Sequence, residues 1–238
     1  MERPVGAATD ESARETVGLS CRILAHNGAS DFIWGHASAR DAAGEGVWLK
    51  AAGYGLEEIT ADRAHRASRA GRVVQGGGEL HKEYPIHTEI MAARPDVGGV
   101  VHVHSRHAVA FGASGRRLLP VSHEANYFAE HGVPSFDETS DLIVTAVLGR
   151  AVAERLGEAR ALFLVNHGIV TVGPDLQTAT FAAIMLERAC EQQLLTQQYG
   201  EGFRSTSAAE SLEKLGRIYT PGAIRSAWDY LCRTIGSA

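Results

Sequence analysis

The sequence predicts a single α/β domain built around a largely antiparallel or mixed β-sheet. Along the 238 residues, segments with strand-like alternation of apolar and polar residues alternate with segments that have helix-like apolar spacing. Several links between successive strands are shorter than the crossover that parallel strands need, so much of the sheet is expected to be antiparallel. No repeat, low-complexity segment or linker interrupts this pattern, and we expect one domain over residues 1–238.

The first quarter of the chain predicts a helix followed by a β-hairpin. After a flexible tail at 1–8, a helix is expected over 11–26, because capping side chains precede it and an Asn-Gly pair follows it. Residues 32–40 alternate in the manner of a strand. A Gly-containing turn connects them to a second strand at 47–49.

The second quarter begins with a stretch that the pattern does not resolve. Residues 56–72 are polar with weak periodicity, and the three glycines at 76–78 indicate a flexible loop. A helix is expected over 85–94. Its first residue is a proline, and the N–H that proline lacks would have no partner within the first helical turn. Residues 97–103 are rich in β-branched side chains and predict a strand.

Short elements are expected in the middle of the chain. The spacing of apolar residues predicts a short helix over 106–112, a strand at 118–121, a weak helix over 125–131 and a short strand at 133–136. A longer helix is expected over 140–156, where apolar residues recur at helical spacing.

The last part of the chain predicts two strands and three helices. An apolar strand at 161–165 is followed by a tight break, and 169–172 continues in extended form. The longest helix is expected over 175–199. The region 201–238 predicts two amphipathic helices separated at Pro221-Gly222, which we expect to pack on their own or a neighbouring subunit.

Composition narrows the classes of function. The formal net charge of −5 argues against a nucleic-acid partner, because a phosphate backbone needs a basic face. No apolar run is long enough for a membrane helix, and we expect no signal peptide, because the first twelve residues contain no apolar run. The three cysteines lie far apart, which fits the reducing cytoplasm. The eleven histidines are unusual, and histidine is the commonest metal ligand and acid-base group.

Two histidines lie two residues apart in the strand predicted at 97–103. His102 and His104 share one face of the strand, whereas the valines between them point the other way. His167 follows the strand at 161–165 and could meet the pair across the sheet. Together with one carboxylate, these imidazoles would suit Zn²⁺, Mn²⁺, Fe²⁺ or Co²⁺. Spacing alone leaves open the alternative of half-buried histidines bonded to the backbone.

Four stretches, in this order and separation, resemble the class II aldolase/adducin family. They are Gly35 to Arg40, Glu83 to Asp96, Val100 to Ser105, and Asn166 to Gly168. The resemblance implies an αβα three-layer fold with a central, mainly antiparallel sheet. It also implies a homotetramer with active sites at the subunit interfaces.

The family's motif assigns roles to residues of this chain. By that resemblance, His102, His104 and His167 would be ligands of a divalent transition metal. Glu83 would be the carboxylate beside the metal, either as a fourth ligand or as an acid-base group. The resemblance alone does not separate these two roles of Glu83.

The chain departs from the sugar-phosphate aldolases of the family where they hold phosphate. The positions that match their phosphate-binding residues carry His36, an alanine before Gly53, His81 and Lys82. Hydroxyl donors are missing there, while the replacements can carry positive charge and suit a carboxylate or a phenolate. The pattern is therefore closer to the branch of the family that decarboxylates hydroxylated aromatic or pyridine dicarboxylic acids.

The favoured function is a metal-dependent decarboxylase of a hydroxylated aromatic or heteroaromatic carboxylic acid, or of a ring-cleavage product. The metal would stabilise an enolate-like species as CO₂ leaves. The tyrosine that donates a proton in the aldolases is replaced, and the candidates for proton transfer are Glu83, His123 and Glu124. The residues expected to bind this small carboxylate substrate are His36, Arg40, Gly53, His81, Lys82 and, as an aromatic wall, Tyr127.

Three other functions stay open. A class II aldolase or epimerase acting on a sugar or sugar phosphate would use the same flow of electrons, with an aldehyde leaving in place of CO₂. A non-haem iron oxygenase could use the same histidines to hold Fe²⁺. A non-catalytic, adducin-like scaffold is disfavoured, because the ligand set is intact.

Overall fold

The centre of the molecule is one eight-stranded sheet. The computed structural model describes residues 9–200 and 202–236, so the flexible tail predicted at 1–8 lies outside the described residues. The strands are β1 (His36–Arg40), β2 (Gly46–Lys50), β3 (Ala64–Ser68), β4 (Val73–Gln75), β5 (Gly99–Val103), β6 (Ser135–Phe136), β7 (Ala161–Leu164) and β8 (Gly168–Gly173). Their order in the sheet is β4-β3-β2-β1-β5-β8-β7-β6. Among the described strands only β6 and β7 pair in parallel, which confirms the mainly antiparallel sheet.

Helices cover both faces of the sheet, so that the fold has three layers. They are α1 (Asp10–Leu24), α2 (Tyr84–Ala93), α3 (Arg106–Ala113), α4 (His123–Asn126), α5 (Ala146–Leu156), α6 (Leu176–Gln198), α7 (Ala208–Ile218) and α8 (Pro221–Ile235). One core joins α1, α3 and α6 to the sheet, and a second core joins α2 and α5 to the other face. The αβα architecture is thereby confirmed.

Strand β5 lies in the middle of the sheet and divides its side chains between the two cores. Val101 and Val103 belong to the core under α1 and α6, whereas Val100 belongs to the core under α2 and α5. Because side chains alternate along a strand, His102 shares the face of Val100. The neighbouring strand β1 places His36 directly opposite His102.

Two predicted strands differ from the structure. Residues 118–121 form no strand, because the buried side chain of Gln193 bonds their backbone instead. It accepts from Leu119 N at 2.7 Å and donates to Arg117 O at 3.1 Å. The strand predicted at 32–40 begins only at His36, because Phe32 has a φ of 49° and Gly35 a φ of 71°.

Three further boundaries differ. The stretch 56–72, for which the sequence pattern predicts no element, contains β3, which extends the hairpin of β1 and β2. The weak helix predicted at 125–131 is only the short α4 at His123–Asn126. The helix predicted from residue 140 begins at Ala146, because Thr145 accepts from Leu148 N and caps it.

The two predicted C-terminal helices are present and pack on their own chain. In α8, Leu231 packs against Ile23 of α1 and Ile184 of α6. Leu215 of α7 joins the core under α1 and α6. Packing of these helices on a neighbouring subunit stays a prediction. Among the helices at 9–200 and 202–236, none combines the length and apolar composition that a membrane span requires.

Candidate metal centre

The candidate metal centre begins at the end of β5. His102 is fully buried, and β5 ends one residue before His104. The two rings meet edge to face, with their Nε2 atoms 3.2 Å apart. The alternation of the strand therefore brings two imidazoles side by side at the centre of the sheet.

The hydrogen bonds of these two rings fix their tautomers. Nδ1 of His102 lies 2.9 Å from the carbonyl oxygen of Ile169, and Nδ1 of His104 lies 2.8 Å from Oδ2 of Asp31. Both partners only accept, so each Nδ1 carries the proton and each Nε2 keeps a lone pair. Two lone pairs that face each other repel, and a shared cation removes this repulsion. An Nδ1–H bound to a carbonyl or carboxylate is typical of metal-ligating histidines.

His167 lies on the tight turn that joins β7 and β8. The turn uses a left-handed conformation at Asn166, with a φ of 60°. It also needs Gly168, since a Cβ there would lie 2.7 Å from His104 Cδ2 and 2.8 Å from Val103 O. Both ring nitrogens of His167 are buried, and neither has a hydrogen-bond partner among the residues that the structure describes. Such a group costs about 1–3 kcal/mol if it stays unpaired, so this ring fits a metal ligand.

Glu83 faces these imidazoles from the residue before α2. Its Oε2 lies 3.5 Å from His102 Nε2, and its Oε1 lies 3.6 Å from His167 Nε2. The N–H of Ile143 donates to Oε1 at 2.8 Å and holds the carboxylate. Burial by itself would raise the pKa of Glu83, but hydrogen bonding to its carboxylate lowers this pKa well below its usual value. The side chain is therefore a carboxylate at neutral pH.

This donor set fits a divalent transition metal. His102, His104 and His167 place one ring nitrogen each within 4.8 Å of the others, and His36, Glu83 and His102 form a second, overlapping group. Imidazole nitrogens with a carboxylate oxygen favour Zn²⁺, Mn²⁺, Fe²⁺ or Co²⁺ over Mg²⁺ or Ca²⁺. The cluster could hold one such ion, as the sequence predicts.

A buried chain of polar side chains runs from Glu83 into the protein, and hydrogen bonds join its inner members, His36, His87 and Ser38. His36 Nε2 lies 3.9 Å from Glu83 Oε2, and His36 Nδ1 lies 2.6 Å from His87 Nε2. Nδ1 of His87 in turn lies 2.6 Å from Ser38 Oγ. Burial and the neighbouring imidazoles lower the pKa of His36, and they lower that of His87 to about 3. Both rings are therefore neutral at pH 7.

His81 lies beside His36 and is held by a residue that the sequence analysis missed. Its Nε2 lies 3.1 Å from Nζ of Lys50. Burial, together with the charge of Lys50, lowers the pKa of His81 to about 3. The sequence contains a signal that Lys50 is buried, because β-strand alternation places it on the same face as the buried Trp48.

A cavity of about 540 Å³ opens over the cluster. This volume suits a small-molecule ligand. Trp34 and Leu142 give it apolar walls, and Arg106, which the sequence analysis did not single out, adds a cation. The polar residues that line it are Asp31, His36, His81, Glu83, His104, Asn166 and His167.

The structure corrects two predicted substrate residues. The guanidinium of Arg40 donates to the carbonyl oxygens of Met91 at 2.8 Å and of Arg94 at 3.0 Å, so it caps the end of α2. Tyr127 is buried in the core, where it packs against Phe128. It lines a different cavity, of about 860 Å³. Neither side chain lies in the wall of the cavity over the cluster.

Four other predicted residues lie outside that wall within the described chain. Lys82 is exposed, and Gly53 is in a loop where it adopts a φ of 85°. His123 is exposed on α4 next to Glu124. None of the four is among the residues that line the cavity of this chain, so their roles in the reaction stay predictions.

Known proteins share this architecture and parts of this sequence. The chain is 28% identical over 231 residues to a 3,4-dihydroxyphthalate decarboxylase of Rhodococcus jostii, covering 90% of this chain and 93% of that protein. It is 39% identical over 119 residues to the decarboxylase NovR of Streptomyces niveus, covering 50% of this chain and only 43% of NovR. An aldolase II superfamily protein from Pseudomonas syringae superimposes with a TM-score of 0.86 and 26% identity, covering 97% of this chain and 94% of that one.

A family profile covers most of the fold. Residues 15–194 match the Class II Aldolase and Adducin N-terminal domain. The matched range contains all eight strands of the described sheet and all five residues of the two overlapping groups of candidate ligands. The chain therefore belongs to the class II aldolase and adducin family.

Proposed function

We propose that this protein is a metal-dependent decarboxylase of hydroxylated aromatic carboxylic acids. The observation that carries the proposal is the pair of Nε2 atoms of His102 and His104, 3.2 Å apart with both lone pairs facing inward. His167 and Glu83 complete the set of groups that would hold the ion. Support for the decarboxylase branch comes from the relatives that carry that name.

The reaction breaks the bond between a ring carbon and a carboxyl carbon, and a proton replaces the departing CO₂. A bound divalent ion supplies Lewis-acid chemistry, which stabilises negative charge on the substrate. The charged Glu83 is a ligand or the acceptor of the substrate's hydroxyl proton at Oε2. Trp34 and Leu142 offer the ring of such a substrate an apolar part of the cavity wall.

The cavity wall supports a carboxylate substrate over a sugar phosphate. His36 and His81 lie where the sugar-phosphate aldolases would supply hydroxyl and amide donors, and their rings are 4.4 Å apart. Arg106 adds a permanent cation. Two neutral imidazole donors and one guanidinium suit a planar carboxylate on an aromatic ring.

Release of CO₂ from 3,4-dihydroxyphthalate tests the proposal. The protein is stripped with a chelator and reloaded in turn with Zn²⁺, Mn²⁺, Fe²⁺ or Co²⁺. We expect at least one ion to restore formation of CO₂ and 3,4-dihydroxybenzoate in equal amounts. Metal-independent turnover would contradict the proposal. Cleavage of L-fuculose 1-phosphate without CO₂ release would favour the aldolase, and uptake of O₂ with Fe²⁺ would favour the oxygenase.

We further propose that the protein is a cytoplasmic homotetramer in which His123 and Glu124 of one subunit deliver the proton to the cavity of the next. They lie outside the cavity wall of their own chain. Trp34 of the cavity wall is 52% exposed, and Phe32, whose ring packs edge to face against it, is 78% exposed. A neighbouring subunit would cover these apolar side chains.

Subunit mixing tests this arrangement. Native mass spectrometry is expected to give a tetramer. His102→Ala and Glu124→Gln are expected to be inactive alone and to regain part of the activity when their subunits are mixed, because some cavities then contain both intact groups. A fully active monomer, or inactive mixtures whose subunits demonstrably exchange, would contradict it.

A further inference from the structure

Lys50 is a buried amine to which the proposed reaction gives no task. Its side chain is completely buried at the end of β2. Within 9–200 and 202–236, no carboxylate lies within ion-pair distance of its Nζ, which instead contacts Ile33 O at 3.0 Å and His81 Nε2 at 3.1 Å. Burial of an amine without a counter-ion is unfavourable. The cost indicates a function for this residue rather than a packing role.

The contact with Lys50 determines which nitrogen of His81 can donate. Burial lowers the pKa of Lys50 only to about 8, so at neutral pH the group is an ammonium that donates and cannot accept. The 3.1 Å contact therefore pairs an N–H of Nζ with a bare Nε2, and the N–H of the His81 ring is the one on Nδ1. In the described part of the chain, Nδ1 of His81 has no hydrogen-bond partner. It also does not belong to the fully buried polar atoms, so a ligand can reach it.

His81 thus offers a fixed donor to the cavity that it lines. Its ring packs beside that of His36 at 4.4 Å, so the donor is next to the metal-centre cluster and not part of it. A donor of fixed direction selects an acceptor such as a carboxylate. On a substrate of the proposed class, that acceptor is the carboxylate that stays on the ring.

We propose that Lys50 is a positioning residue that holds His81 in the Nδ1–H tautomer, and that this donor selects substrates with a second, retained carboxylate. The selectivity rests on the proposed decarboxylase function, whereas the tautomer does not. Lys50 itself does not touch the substrate. Its second bond, to Ile33, also ties it to the turn that carries Asp31 and Trp34 of the cavity wall.

A cycle of two substitutions tests the selectivity. Lys50→Met removes the ammonium, and KM for 3,4-dihydroxyphthalate is expected to rise about tenfold, as for loss of one oriented hydrogen bond, with little change in kcat. For 2,3-dihydroxybenzoate, which has only the leaving carboxylate, KM is expected to stay within about twofold.

The second arm uses His81→Asn, whose amide supplies an N–H near the position of Nδ1 without needing Lys50. In that background, Lys50→Met is expected to change KM by less than about twofold. An equal rise in KM in both backgrounds, or an equal rise for both substrates, would show a merely structural role and overturn the proposal.

A spectroscopic measurement keeps the proposal testable if Lys50→Met does not fold. The Zn²⁺-loaded full chain, labelled with ¹⁵N-histidine, gives long-range ¹H–¹⁵N correlations that distinguish the tautomers, and His81→Asn identifies the signal of His81. We expect a protonated Nδ1 and a bare Nε2, and a protonated Nε2 overturns the inference. This tautomer without decarboxylation would instead reject the proposed function and leave the role of Lys50 standing.

Discussion

Replacing His102 with alanine is expected to lower CO₂ release from 3,4-dihydroxyphthalate by at least about 10³-fold, because metal-assisted reactions depend on the complete ligand set. Among the candidate ligands, His102 occupies the centre. Its Nε2 lies 3.2 Å from His104 Nε2 and 3.5 Å from Glu83 Oε2. Its removal therefore separates the remaining donors and should also remove bound metal, which elemental analysis of the purified variant measures.

The matched control is His131→Ala. His131 is an exposed histidine whose Nε2 forms a long ion pair with Glu130, at 3.9 Å, so activity and metal content are expected to stay at the level of the unchanged protein. Circular dichroism shows whether His102→Ala remains folded. A folded variant that keeps its metal and its rate would reject the assignment of the centre to His102.

The metal centre could be predicted from sequence to the extent that it depends on local alternation. His102 and His104 meet because side chains two residues apart share a strand face, and His167 follows a strand that pairs into the same sheet. The central position of β5 depends on strand order. No local pattern encodes that order, so its position after a strand shows only that His167 could meet the pair, and the family resemblance supplies the rest.

The residues that were missed act through contacts between distant parts of the chain. Asp31 orients His104, although the two residues are 73 positions apart in the sequence. Asp31 directly precedes residues 32–40, whose alternation predicts a strand from residue 32, where the structure has a turn. The sequence shows the charge of Arg40, which favours a substrate role, but it does not show the carbonyl oxygens of Met91 and Arg94 that bind this charge in the fold. The strand predicted at 118–121 failed for the same reason, because Gln193 lies 74 positions from Leu119.

Acid is expected to unfold the metal-free protein at a mildly low pH, because buried imidazoles that are neutral in the fold must become charged. Burial lowers the pKa of His36, and it lowers those of His81 and His87 to about 3 and that of His104 to about 4. In the unfolded chain these rings titrate near their ordinary value of about 6.5. At pH values between the folded-state and unfolded-state pKa values, the unfolded chain binds protons that the folded protein does not bind. The free energy of unfolding therefore falls as the pH falls.

The size of the effect follows from the number of rings. Each imidazole that is charged only in the unfolded state removes about 1.4 kcal/mol of stability per pH unit. Four of them would remove roughly 5 kcal/mol per pH unit between about pH 5.5 and pH 4. That change is comparable with the whole stability of a typical domain, which is about 5–15 kcal/mol. Above about pH 7 the rings are neutral in both states, and this contribution no longer changes.

Denaturant titrations of the chelator-treated protein at a series of pH values from 8 to about 4 measure this slope. His87→Gln removes one of the four rings while its amide can still bond His36 and Ser38, so the slope is expected to fall by about one proton. Added Zn²⁺ binds only the folded form with neutral ligands, and it is expected to move the acid transition to lower pH. A free energy of unfolding that stays constant from pH 7 to pH 5 without metal would show that these imidazoles are not buried in the neutral form.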